Sequence, residues 1–387
     1  MFHNNDRMTE DRDGGADATH HRTIRRSGWF TTTTLFLLSA LLCVVFAEVT
    51  ARAFWYLRYG VPFLNPGRIL YAFYPELQKV EMERPAHGDE FYDILFLGGS
   101  VLNPYWGQVA QALQEELAFE GHRNVRIFNL ATTAHSSRDS RLKYAAISEA
   151  RFELVVFYHG INETRANNAP PEIFREDYSH YSWYEIVNTM ASYHGRTSFA
   201  LSYTLHYLVM KLRRVLMKDR YVPIHNPRED WVHYGGNPRS SVSFKHNLGA
   251  ILDLAKHRGD RVLLMTFATY MPEDYSLKGF EKKRLDYGLH HAAIEMWGAP
   301  DHVLKTVAVH NEIVRGLAAD QEGVLFVDQA SLMAGVGRYF NDVCHFTVVG
   351  SSKFAEYMLM GLLPSLQRFQ RAQGEANGRA GDVSKDP

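Results

Sequence analysis

The stretch Asp93–Pro104, "DILFLGGSVLNP", carries the reading of the fold. A short apolar run ends in Gly98 and Gly99, and Ser100 follows at once. A run of this length, closed by a turn signal, reads as a buried strand. Glycines at its end tolerate backbone angles that other residues resist. The chain is therefore expected to turn sharply there and to present Ser100 at the strand's end with its own N–H free. A hydroxyl beside a donor for a developing oxyanion is what a nucleophile needs. Taken alone, the tripeptide is better read as an ordinary strand-to-helix turn. A phosphate-cradling turn lacks its signature, having no G-x-G-x-x-G and no following lysine.

The pattern repeats downstream. "VRIFNLA" (125–131), "ELVVFYHG" (153–160), "RVLLMTFA" (261–268) and "VLFVDQA" (324–330) read as further strands. Between them, "WGQVAQALQEELAF", "SRDSRLKYAAISEA" (137–150), "VSFKHNLGAILDLAKH" and "HVLKTVAVHNEIVRGLAA" read as helices, with "TVVGSSKFAEYMLMGLL" closing the series. Continuous apolar strands alternating with helices indicate a parallel sheet covered on both faces. The fold class expected is α/β, with one doubly wound, five-stranded parallel sheet over 91–371. A helical, aromatic-rich insertion at about 165–242, read as lying on the rim, interrupts the rhythm. No internal repeat is found. The polar stretch 372–387 reads as a disordered tail.

A chain of 387 residues, 46% hydrophobic and 22% charged, is long enough for a real core. Its formal net charge of −1 argues against a general nucleic-acid binder. The two cysteines, Cys43 in an apolar run and Cys344 near the other end, give neither a disulfide framework nor a zinc cluster. The 19 histidines show no metal-ligand spacing. No metal and no cofactor are expected.

Trp29–Ala47, "WFTTTTLFLLSALLCVVFA", is 19 residues without charge, preceded by Arg22, Arg25 and Arg26. About 20 apolar residues span a bilayer as a helix, and threonine hydroxyls can bond the helix's own carbonyls. A cleaved signal peptide is the competing reading, since Ala51-Arg52-Ala53 resembles a cleavage site. The long preceding tail and Glu48 directly after the run favour an uncleaved anchor. The arginines place the amino end, 1–28, in the cytoplasm, although Arg52 and Arg58 flank the other side. The rest would then lie outside a cell inner membrane, in the periplasm, after a connector at 48–90 whose aromatics suit the membrane interface.

In open parallel sheets, ligands bind beyond the carboxyl ends of the strands, so the residues after each strand belong together. Ser100 follows the first. "NLATTAHSS" follows the second and Gly160-Ile161-Asn162-Glu163 the third. Before the final helix come Asp342 and His345. His345 is a candidate general base and Asp342 the group that orients it. The Asn162 amide can donate to an oxyanion, and Thr347 is placed to cap the last helix.

These four blocks, in this order, resemble the SGNH hydrolases, or GDSL-type esterases. Gly99 stands where that family usually has aspartate, Glu163 departs from the family's G-x-N-D block, and Asp342-Val343-Cys344-His345 matches its D-x-x-H. The resemblance covers roughly 91–165 and 260–365. It implies a flavodoxin-like three-layer α/β/α fold and a serine esterase. In that esterase Ser100, Asp342 and His345 are catalytic, and Ser100, Gly99, Ala134 and Asn162 form the oxyanion and substrate-binding set. Ala134 falls at the point where the family has a glycine N–H. The function expected is removal of small O-acyl groups, O-acetyl foremost, from an envelope or exported polysaccharide. An acyltransferase using the same site and a non-catalytic carbohydrate-binding module are the alternatives. The partners implied are an acylated carbohydrate or other ester and the membrane, through Trp29–Ala47.

Two features stay open on sequence. Tyr178, His180, Tyr181, Trp183 and Tyr184 either stack on a sugar or simply pack. The basic amphipathic segment 205–220 lies either on the membrane surface or on the core.

Overall fold

A computed structural model describes residues 20–217, 221–223 and 225–383. Helix α1 (His20–Tyr59) leads into a 3₁₀ segment (Pro66–Ala72) and the short α2 (Leu77–Glu83). The alternating part follows: β1 (Tyr92–Gly98), α3 (Val109–Phe119), β2 (Val125–Asn129), α4 (Ser137–Ala146) and β3 (Leu154–Tyr158). The insertion supplies α5 (Ser182–Tyr193) and α6 (Ala200–Leu216). After it come α7 (Ser240–Arg258), β4 (Arg261–Met265), the one-turn α8 (Leu277–Glu281), α9 (Pro300–Asp320), β5 (Leu325–Val327), α10 (Gln329–Leu332) and α11 (Val348–Val383).

The five strands form one parallel sheet in the order β2-β1-β3-β4-β5. Side chains alternate across it, as a period of two requires. Ile94 and Phe96 of β1 join the core beneath α3 and α11, while Leu95 and Leu97 join the one beneath α4 and α7. Chain order reverses between β1 and β3, and the crevice beyond their carboxyl ends is where such a sheet binds ligands.

The layout departs from the expected one in four places. The supposed connector is part of the body: Trp55, Ile69, Tyr74 and Leu77 are 0% exposed. Trp55 donates its indole N–H to Thr204 Oγ1 (2.8 Å), so this aromatic is buried in protein instead of lying at a membrane interface. The insertion shares that core through Val187, Met190 and Tyr203, because its helices present apolar faces that pack on α1 and the 3₁₀ segment. It is built in, not set on the rim. The last helix continues through the expected tail to Val383, and α1 already begins at His20. The remainder of those two tails, 1–19 and 384–387, lies outside the described residues. Finally, neither Gly98 nor Gly99 has a positive φ. Space, not backbone angle, requires glycine at 99, since a Cβ there would lie 2.8 Å from Asn162 Nδ2 and 3.3 Å from His135 O.

Candidate active site

Ser100 opens a single 3₁₀ turn, Ser100–Leu102, directly after β1. First-turn N–H groups have no intrahelical acceptor, so its amide points out with its hydroxyl. The loop 130–136 is pinned alongside by Leu130 N–H to Phe96 O (3.0 Å) and Thr132 N–H to Gly98 O (3.3 Å). Ala134 in this loop adopts φ +65°. An alanine in the left-handed region costs about 1 kcal/mol, so the surrounding structure must hold it there.

Asn162 starts the turn after β3. Its Nδ2 donates to His135 O (2.9 Å), and its Oδ1 accepts the indole N–H of Trp297 (3.0 Å). Indole is a donor only, which fixes the amide's orientation and leaves the second Nδ2 hydrogen free.

From the other end of the chain, Asp342 and His345 reach the same point. His345 Nδ1–H donates to Asp342 Oδ2 (2.7 Å), and Nε2 faces Ser100 Oγ at 2.8 Å. Because the carboxylate fixes the proton on Nδ1, Nε2 is left to accept the serine proton. Asp342 Oδ1 accepts the N–H groups of Cys344 and His345 (both 2.9 Å), and Oδ2 also accepts that of Ala292 (3.1 Å). Ser100, Asp342 and His345 are 5%, 0% and 3% exposed, so the three lie in a nearly closed space. Thr347 Oγ1 accepts from Gly350 N–H (3.0 Å), capping α11 and stiffening the loop.

Asp342, Cys344 and His345 present three ligand-type atoms within 4.8 Å of one another. Their bonding fits a hydrogen-bonded triad better than a metal. The carboxylate is already filled, His345 is engaged at both nitrogens, and burial holds the Cys344 thiol well above its usual range, hence protonated.

The structure thus brings Ser100, His345 and Asp342 into one hydrogen-bonded line and sets Asn162 against Gly99. Ala134 and Asn162 line a neighbouring pocket of about 200 Å³, walled by Tyr181, Trp183 and Tyr184 of the insertion. Tyr178 and Tyr184 are buried core residues, 1% and 8% exposed. Half-buried Trp183 donates to Asp139 Oδ1 (3.0 Å) while facing the pocket.

Sequence reasoning missed three residues. Trp106 stacks on the His345 ring (centroids 5.0 Å, 28°). Trp297 orients Asn162 from 135 residues away, a separation no local pattern reveals. Arg165, in the turn after Asn162, was open to inspection, because it falls inside the block that carried the resemblance.

The fold is that expected of an SGNH hydrolase. No protein-family model and no curated protein matches the chain. Among solved structures it is similar to a candidate acylhydrolase from Bacteroides fragilis (13% identity, TM-score 0.41, covering 75% of this chain and 94% of that one). It is also similar to the acetylxylan esterase of Geobacillus stearothermophilus (14%, TM-score 0.37, 73% and 96%). A candidate GDSL-like lipase from Parabacteroides merdae aligns as well (11%, TM-score 0.39, 72% and 98%). At these values the likeness is one of chain trace, and the chemistry is read from the site's own atoms.

Proposed function

We propose that this protein is a membrane-anchored serine esterase that removes small O-acyl groups, O-acetyl foremost, from an envelope or exported polysaccharide. The observation that carries the reading is the continuous Ser100–His345–Asp342 line, with bonds of 2.8 and 2.7 Å at the switch point of the sheet.

Ser100 Oγ attacks the ester carbonyl as its proton moves to His345 Nε2. Asp342 stabilises the imidazolium. The carbonyl oxygen, now negative, takes hydrogen bonds from the N–H groups of Ser100 and Ala134 and from the free Asn162 amide hydrogen. Collapse breaks the ester bond, and His345 returns its proton to the leaving alcohol. Water, deprotonated by the same nitrogen, then releases the acid and restores Ser100.

The nearly closed setting of Ser100, 5% exposed, supports a short acyl chain. Transfer to a second alcohol would use the same atoms, and the near-complete burial of Ser100 is the feature that favours it.

The anchor rests on α1. Phe30–Tyr59 is long and apolar enough to cross a membrane, and along 30–46 every side chain is exposed, Phe30 at 74% and Leu37 at 61%. Water does not tolerate such a stripe. The cleavage reading fares worse, because the residues around it are structural. Ala51 is 5% exposed, and Arg52 pairs with Glu48 (2.7 Å) and bonds Ser198 O (2.7 Å). Glu48 in turn accepts the N–H groups of Ala200 and Leu201, capping α6. The arginines ahead of the span, Arg22, Arg25 and Arg26, support an amino end in the cytoplasm and the site in the periplasm.

The test is a fluorophosphonate probe together with nitrophenyl esters of rising chain length. Labelling of Ser100 and a sharp fall in turnover beyond acetate or propionate are expected. Labelling that persists in Ser100→Ala would remove the serine from the mechanism.

A further inference from the structure

Arg165 is a buried cation, 6% exposed. Among the described residues its guanidinium makes neither an ion pair nor a hydrogen bond, and Nε is sealed from solvent with no partner. Its Nη atoms are not among the sealed ones, so they face the pocket that Arg165 lines. Its guanidinium lies over the face of Trp297, 5.1 Å from the centroid.

Folded proteins rarely bury a charge unpaired, because desolvating it is costly unless an opposite charge compensates. Glu163, two residues away, makes no ion pair with it: Oε1 accepts the Ser137 N–H, Oε2 is sealed without a partner, and burial pushes the carboxyl up to about 7. Burial lowers Arg165 only to about 10, so it stays charged at neutral pH. The cation is left waiting in a pocket of about 200 Å³ whose other walls are the aromatic Tyr181 and Trp183 and the oxyanion-side residues Ala134 and Asn162.

We propose that Arg165 is the anion subsite for the alcohol part of the substrate, and that the acyl group is carried by an acidic sugar whose carboxylate pairs with this guanidinium. The inference rests on the esterase reading of Ser100 and deepens it. A fork of N–H donors fits a carboxylate two-to-two, aromatic walls fit a sugar ring, and Ala134 and Asn162 place the same pocket beside the reacting carbonyl. A single cation matches a monoanion.

The test uses the full chain in detergent with O-acetylated uronate oligosaccharides and, as the neutral counterpart, O-acetylated xylo-oligosaccharides. The wild type is expected to favour the acidic series by at least about tenfold in kcat/KM. In Arg165→Gln that preference should fall by at least about tenfold, carried mainly by KM, with Arg165→Lys intermediate because it keeps the charge but loses the fork. An unchanged ratio in Arg165→Gln, or a wild type without preference, would overturn the proposal. If the variants do not fold, competition in the wild type decides. Free glucuronate should inhibit nitrophenyl acetate hydrolysis where glucose does not, and equal effects would overturn it. Failure of the esterase reading registers separately. If no ester is cleaved, calorimetric binding of the acidic oligosaccharide to Ser100→Ala still reports the subsite, and binding no tighter than that of the neutral one overturns it.

Discussion

Asp342 and Asp139 are both buried beside histidines, and they do opposite things. Asp342 spends one oxygen on backbone N–H groups and aims the other at His345, whose far nitrogen is left pointing at Ser100. Asp139 is enclosed. Its oxygens take the hydroxyls of Tyr74 (2.8 Å) and Tyr184 (2.6 Å), the indole of Trp183 (3.0 Å) and the N–H of Ser136 (2.8 Å). Burial alone would raise its pKa, but the nearby His135 and these hydrogen bonds outweigh it and hold the carboxyl at about 2. His135 meanwhile is pushed down to about 4 by burial, and its Nδ1 has no partner. An acid–histidine neighbourhood becomes chemistry only where the imidazole links the carboxylate to something that can react. Otherwise it is a cross-brace, here tying α4 and α5 to the segment before β1.

The largest expected effect lies on the reactive side. Ser100→Ala should lower turnover by about 10⁶-fold, near 8 kcal/mol of barrier, with an unaltered melting temperature. Residual activity within about a hundredfold of wild type would break the comparison at its root.

Next comes pH, which acts through the histidines of the bracing side. Burial lowers His159 and His180 to about 3 and His310 to about 4. The unfolded chain protonates them near 6.5 and the fold does not, so their stabilisation is complete above that pH and is lost as pH falls toward 4. At pH 5 this amounts to about 2 kcal/mol each. Glu163 has the opposite sign: its carboxyl, raised to about 7, stabilises below about 4.5 and loses that contribution as pH rises through 7, returning about 2 kcal/mol between pH 7 and 5. With His135 and His194, also lowered to about 4 by burial and of the same sign, the net is a loss of about 8 kcal/mol on acidification to pH 5, or a melting point lower by about 10 °C. An equal melting point at the two pH values would mean these histidines are not held neutral.

Asp342→Asn and Asp139→Asn form the direct contrast. The first should cost at least about 10²-fold in turnover, close to 3 kcal/mol of barrier, through the wrong histidine tautomer. The second should cost about 2 kcal/mol of stability, because an amide N–H₂ would face donors, with kcat changed by less than about threefold. Kinetics and thermal unfolding of the two variants side by side check this, and a reversed pattern would exchange their roles.

The smallest effect is at Ala134. Glycine there removes the left-handed strain and should raise stability by up to about 1 kcal/mol while retaining activity. A marked loss of turnover would mean that the methyl group helps to place the oxyanion donor.

Much of the reactive side was legible beforehand. Strands such as Leu154–Tyr158 are short, continuous apolar runs, which is a local property, and parallel sheets bind at their carboxyl ends for general reasons. Ser100, Asn162, Asp342 and His345 therefore stood out by their position after strands or before the last helix. The bracing side was not legible. Asp139 reads as a polar residue on an amphipathic helix, and nothing local tells it from a solvated one. Its partners Tyr74 and Trp183 come from stretches read as a connector and a rim insertion.

By itself, then, the sequence determined the layers of the fold and marked Ser100, His345 and Asp342 as candidates, because each is written within a few residues of a strand or helix boundary. Tertiary structure decided why residue 99 is glycine, which atom of Asn162 faces Trp297, and that Arg165 is buried with no ion pair among the described residues. Those depend on contacts between distant segments, where packing and desolvation act on atoms that no short stretch of chain contains.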